Sequence, residues 1–129
     1  GDFLIVAINS DKSIKALKGN NRPINKLSAR IEVLKALACV DLIVTFDELT
    51  PLKIIKMISP DYLVKGGDYK IKDVIGAAIV KANKGKVKII KIKKGFSTTK
   101  ILQRQNIWLV NIITNVSLIF HLKKNYNRD

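Results

Sequence analysis

The sequence predicts a single α/β domain built on a doubly wound parallel sheet, and three observations carry that expectation. Short continuous apolar runs, such as Leu4–Ile8 and Asp41–Phe46, end in polar or glycine-containing turns, the signature of strands covered on both faces. Between them lie segments whose apolar residues recur at helical spacing. At 129 residues, 47% hydrophobic and 26% charged, the chain is long enough for one core and short for two.

Leu4–Ile8 is the first strand, closed by the polar turn Asn9-Ser10-Asp11. Asn20-Asn21-Arg22-Pro23 is loop chemistry, after which Ser28 is expected to cap a helix carrying Ile31, Leu34, Leu37 and Ala38 on its apolar side. Asp41–Phe46 is the second strand. Thr50-Pro51 opens the next helix, with Thr50 at the cap, Pro51 in the first turn, and Leu52, Ile55 and Ile58 sharing a face. Pro60-Asp61 breaks that helix. Tyr62–Val64 is a third strand, ended by the backbone-permissive turn Gly66-Gly67-Asp68. Val74–Ala82 reads as a helix and Lys86–Ile92 as a fourth strand, and Gly95 precedes a helix start at Ser97-Thr98-Thr99. Strand and helix alternating at these lengths imply right-handed crossovers and parallel pairing.

Beyond about Gln103 the character changes. Residues 106–122 mix bulky apolar side chains with Asn111, Asn115 and Ser117, too short and too interrupted for a membrane span. A helix packed on the sheet and an extension without settled structure both stand open there. The domain is therefore expected over residues 1–102, incomplete at its N-terminal side, with residues 103–129 an extension. His121, in that tail, reads as a surface residue.

The single cysteine, Cys39, excludes an internal disulfide, and its apolar neighbours Ala36–Val40 predict a buried, inert thiol suited to a reducing cytoplasm. The start Gly1–Val6 lacks the pattern of a signal peptide and resembles a strand entered in mid-domain. The net charge of +14 is concentrated in the lysine run Lys81–Lys100, with no acidic residue between Asp73 and Asp129. Such a run could serve a nucleic-acid-binding module, yet Phe96 is its only aromatic, so a solvated face is the preferred account and nucleic acid is not the expected partner.

Four segments in order, Asp2–Asp11, Leu17-Lys18-Gly19 with Arg22–Asn25, Pro60–Tyr69, and Gly95–Thr99, resemble the bacterial heptose 1-phosphate adenylyltransferases. They resemble more loosely the wider cytidylyltransferase-like superfamily. The resemblance runs from Gly1 to about Leu102 and implies a Rossmann-like sheet. It also implies a reaction: a sugar 1-phosphate oxygen attacks the α-phosphorus of ATP, pyrophosphate leaves, and an ADP-sugar for the lipopolysaccharide core forms, with Mg²⁺ accompanying the nucleotide. Another sugar- or alcohol-phosphate cytidylyltransferase, and a noncatalytic remnant, are the alternatives.

Carried over residue by residue, Asn9 and Asp11 close the first strand at the ligand edge, and Lys18 and Arg22 meet anionic phosphates. Arg30 either reaches the site or lies across the core edge. Gly66, Gly67 and Asp68 let ligand approach the backbone, and Ser97, Thr98 and Thr99 offer hydroxyls and helix-start amides to the triphosphate. Turn, cap and surface-charge roles are the structural alternatives for each. Leu49, where the family has an acidic residue, and Ala78, where it has a polar one, depart from the pattern. The resemblance further implies a family fused to a sugar kinase or standing alone, in the cytoplasm, with a homo-oligomer among the arrangements considered.

The family's HxGH motif, which belongs to a strand and helix ahead of Leu4–Ile8, does not occur in residues 1–129, and His121 is the only histidine. In the expected 3-2-1-4-5 order the missing strand is central, between Leu4–Ile8 and Tyr62–Val64. Those two strands should therefore pair directly or leave a gap for another segment or chain to fill, because unpaired buried amides are costly. An intact central strand made from these residues would overturn that expectation.

Overall fold

A computed structural model describes residues 2–91 and 118–122. Among them the chain forms β1 (Phe3–Asn9), α1 (Asp11–Lys18), α2 (Leu27–Lys35), β2 (Leu42–Phe46), α3 (Leu52–Ile58), β3 (Tyr62–Gly66), a 3-10 turn (Ile71–Asp73), α4 (Ala77–Ala82), β4 (Lys86–Ile90) and β5 (Leu118–Leu122). The five strands make one sheet in the order β2-β1-β5-β3-β4. β1 pairs with β2, and β3 with β4, in parallel. β5 lies between the two pairs and runs antiparallel to both neighbours.

The predicted Rossmann-like α/β class is what the chain adopts, and alternation along β1 shows why. Ile5 and Ala7 face one side of the sheet, where they pack with Phe46, Ile55 of α3, and Ala77 and Val80 of α4. Val6 and Ile8 face the other side and pack with Leu34 of α2 and, at its margin, Leu27 and Ile31. A strand buried on both faces needs apolar residues at consecutive positions, and helices then cover both layers.

The centre of the sheet corrects the sequence expectation. β1 and β3 neither pair directly nor stand open, because residues 118–122 of this same chain form the intervening strand. The register puts Phe120 opposite both Ile5 and Leu63. Phe120 is fully buried in the same cluster as Ile5, Leu63 and Val87, so one row of side chains crosses β1, β5, β3 and β4. This stretch is a strand where a helix was one of two readings. A five-residue stretch with one polar member, His121, carries no decisive period, and the two open strand edges supply the hydrogen bonds that select the extended form.

Smaller differences have local causes. The turn read at Asn9-Ser10-Asp11 opens α1: Ser10 Oγ accepts from the Ser13 amide at 3.2 Å, and Gly19 closes the helix at φ 92°. α2 is capped at Lys26 rather than Ser28, with no side-chain cap bond, and α3 starts one residue later than read, with Pro51 at the cap. The Val74–Ala82 segment divides, because Gly76 at φ 86° turns the chain before α4. Cys39 is exposed, not buried. α2 ends at Lys35, and residues 36–40 form a surface connection to β2 in which Leu37 is also exposed. Gly95 and the helix start after it lie outside the described residues. No helix among the described residues is long and apolar enough to cross a membrane.

Candidate functional site

In an open parallel sheet, ligands bind beyond the carboxyl ends of the strands, where the direction of strand progression reverses. Here that place lies between β1 and β3. β5 pairs no further along than Ala7 on β1 and Val64 on β3, so Ile8-Asn9 and Lys65-Gly66 extend past it. Beyond these ends is a cleft of about 260 Å³ lined by Asn9, Leu17, Phe46, Leu49, Pro51, Lys65, Tyr69, Asp73, Val74 and Ile75.

One wall is held by a buried polar network. Arg30 of α2 is 1% exposed. Its Nη1 donates to the Asn9 carbonyl at 2.7 Å, its Nη2 to Asp11 Oδ1 at 2.7 Å, and its Nε to the Asn25 carbonyl at 3.2 Å. A planar guanidinium suits this because its donors diverge in one rigid fork. Asn9 is buried as well, and its Nδ2 donates to Ser13 Oγ at 2.8 Å, whose hydroxyl donates to the Glu48 carbonyl at 2.9 Å. The Ser10 amide donates to the Phe46 carbonyl at 2.9 Å, fastening the exit of β1 to that of β2. These bonds fix the β1–α1 corner and the loop after β2 relative to each other. In that loop Glu48 pairs with Lys53 at 3.2 Å, and its carboxyl is held below the usual range by its own backbone amide first and then by Lys53.

The opposite wall comes from β3 and the turn after it. Lys65 is half-buried, with its Nζ 5.5 Å from the centre of the Tyr69 ring. Burial, and after it the charge of Lys18, hold the Lys65 ammonium below its ordinary pKa. Gly67 adopts φ 130°, and a Cβ there would lie 2.5 Å from the Tyr69 ring, so the absence of a side chain seats the ring. The Gly67 amide donates to the Ile90 carbonyl at 3.0 Å, tying the turn to the end of β4. Around Gly66 there is open space.

The structure thus brings Asn9, Asp11 and Arg30 into one cluster and sets Lys18 within electrostatic range of Lys65. Arg30 lies within the protein interior, where its donors hold the strand end and the first turn of α1. Gly66, Gly67 and Asp68 follow at the end of β3, with Asp68 exposed. Arg22 is half-buried in the loop after α1, where its amide donates to the Gly19 carbonyl at 3.1 Å. Ser97, Thr98 and Thr99 lie outside the described residues. Sequence reasoning missed Lys65 and Tyr69 as site residues. The available signal was position, since Lys65 is a charged residue near the carboxyl end of a buried strand. Among the described residues no three or more His, Cys, Asp and Glu side chains gather as a metal cage, and Asp11 is engaged by Arg30.

Residues 1–104 match the cytidylyltransferase-like family. The chain is 54% identical over 104 residues to the bifunctional protein HldE of Koribacter versatilis, covering 81% of this chain and 21% of that protein. It is 51% identical over 104 residues to the bifunctional protein HldE of Haemophilus ducreyi, covering 81% and 22%. With that of a Marinomonas species it shares 49% over 107 residues, covering 83% and 22%. The chain spans about a fifth of the length of these curated relatives. With a sheet ordered around one central slot, a cleft at the strand ends and a match over most of its length, the chain belongs to the cytidylyltransferase-like family.

Proposed function

We propose that this chain forms most of a nucleotidyltransferase domain that transfers AMP from ATP to D-glycero-β-D-manno-heptose 1-phosphate, giving ADP-heptose and pyrophosphate for lipopolysaccharide core synthesis. The observation that carries this reading is the cleft beyond β1, β2 and β3, in which the basic side chain of Lys65 stands across from the braced Asn9 corner. The similarity to bifunctional HldE proteins supports the choice of acceptor.

In the proposed reaction an oxygen of the sugar phosphate attacks the α-phosphorus of ATP, the bond to the β-phosphate bridging oxygen breaks, and pyrophosphate leaves. Such chemistry is mostly positioning and charge stabilisation. Lys18, Arg22 and Lys65 would meet phosphate oxygens. Arg30 would act through Asn9 and Asp11, keeping the β1 exit in place. Gly66 and Gly67 would let ligand approach the backbone beside Asp68, and Ser97, Thr98 and Thr99 would take the triphosphate. ATP is a substrate, and Mg²⁺ would arrive on its phosphates. A nucleotide-sugar synthesis of this kind belongs in the cytoplasm, and the word bifunctional in the relatives' name favours a second activity on one polypeptide, for which a sugar kinase is the proposed partner.

HxGH is not among these 129 residues, so this stretch alone is expected to be inactive. Pyrophosphate release from ATP, Mg²⁺ and heptose 1-phosphate should appear only when the chain is preceded by the family's first strand and HxGH. A second reading, a noncatalytic remnant, is favoured by one observation: β5 occupies the slot that strand would need. A folded but inactive restored protein would select that reading and reject the first.

A further inference from the structure

We infer that the chain self-associates through the outer edge of β2, two copies pairing their β2 strands antiparallel about a two-fold axis at Val44 so that their sheets run on as one. This surface lies outside the cleft and does not depend on the reaction proposed above. β2 is an edge strand, and among the described residues no strand pairs with its outer side. The Phe46 carbonyl turns inwards to accept from the Ser10 amide, so alternation along the strand sends the amides and carbonyls of Ile43 and Thr45 outwards. Open sheet edges are ordinarily guarded by charged side chains, proline or a bulge. The opposite edge follows that rule, since β4 carries Lys86 and Lys88, both exposed. β2, from Leu42 to Phe46, holds no charged residue and no proline. The surface beside it is apolar as well. A groove of about 470 Å³ runs along this edge, with Ile31, Val40, Leu42 and Ile43 in its lining. Leu42 is 44% exposed, and the connection ahead of it presents Ala36, Leu37, Ala38 and Cys39 to solvent in succession. An exposed apolar run beside an unguarded edge marks an association surface.

Charge selects both the occupant and its direction. Lys35, the last residue of α2, lines the groove beside Asp41 and Leu42 and so stands at the amino end of β2, whereas the exposed Asp47 follows its carboxyl end. Asp41 is already engaged, its Oδ2 accepting from the Leu4 amide at 2.7 Å. An antiparallel second copy sets the Lys35 end of each chain beside the Asp47 end of the other, and symmetry repeats the attraction. Parallel pairing would set like against like. With the axis at Val44, Ile43 lies opposite the partner's Thr45, which brings the outward amides and carbonyls of both into hydrogen-bonding register. The two clefts then open at opposite ends of the joined sheet, because each lies beyond the carboxyl ends of its own strands.

Sedimentation velocity of the 129-residue chain at roughly 1 to 100 µM should show a monomer–dimer equilibrium. Thr45→Lys places a charge on the open edge and should raise the dimer dissociation constant roughly tenfold or more. Lys35→Glu and Asp47→Lys should each weaken the dimer by roughly three- to tenfold, and the double reversal should restore most of the loss. All three side chains are exposed, and each variant is first checked for a cooperative melt. If Thr45→Lys fails to fold, the charge-reversal pair carries the test. Amide hydrogen exchange supplies a second readout, in which the Ile43 and Thr45 amides of the wild-type chain become slower to exchange as its concentration rises. A chain that stays monomeric throughout, a dimer that Thr45→Lys leaves intact, or charge reversals whose losses simply add in the double variant would each overturn the inference.

Discussion

Arg30 illustrates how a residue adjacent to chemistry can matter without touching a ligand. Its three described hydrogen bonds end on two backbone carbonyls and one carboxylate, all at the β1 exit or the loop before α2. Replacing it with Met would leave the buried Asn9 carbonyl without this donor and release Asp11, at a cost of about 3–5 kcal/mol. Lys should not rescue, because one ammonium cannot reproduce a planar fork. Chemical denaturation of the 129-residue chain measures both. The sequence made Arg30 noticeable only through resemblance, and left open whether it reaches the site or lies across the core edge. Burial is a property of the packed helix, which no local pattern around Ser28-Ala29-Arg30 encodes. Cys39 teaches the converse lesson. Apolar neighbours predicted its burial, but α2 stops at Lys35 and the thiol lies on a surface connection.

At the scale of elements, strands were legible and helix starts less so. Three apolar runs became β1 to β3 and the Lys86–Ile92 segment became β4, and the signal is plainest in β1, whose successive residues are buried on both faces of the sheet. α1 was hidden because Ser10 begins both turns and helices, and only Ile14 and Ser13 of the helix are buried, leaving little apolar period to detect. The junction before α4 is tighter than the sequence suggested. A Cβ on Gly76 would lie 2.4 Å from Cδ1 of Ile55, which is fully buried in α3, and φ is 86°. Gly76→Ala should therefore cost about 1–3 kcal/mol through overpacking, with the left-handed backbone adding roughly 1–2 kcal/mol. Gly66→Ala, with open space around it, should leave the melting temperature nearly unchanged and serves as the control. Two equal losses in thermal melts would contradict this account of the junction.

The whole molecule turns on the slot between β1 and β3. The family resemblance implied that the slot exists, since the family's strand ahead of Leu4–Ile8 is central in the expected order. What fills it was not legible, because the choice depends on two strand edges more than fifty residues apart in sequence and far from residue 118. Phe120, fully buried across from Ile5 and Leu63, should be worth about 3–5 kcal/mol to the 129-residue chain, measured as Phe120→Ala. In a longer protein whose preceding segment supplies the family's own central strand, the same substitution should change stability little. An equal loss in both proteins would mean that β5 keeps its place regardless.

The position of β5 also sets an order of events during synthesis. β1 leaves the ribosome well ahead of the strand that covers its inner edge, which lies at residues 118–122. Until then β1 and β3 present apolar, hydrogen-bond-hungry edges, and the pairings that join β1 to β5 link residues far apart in sequence, the arrangement that folds most slowly. A nascent chain in this state would depend on chaperone occupancy of those edges, and its yield would be set by how long they stay uncovered rather than by the stability finally reached.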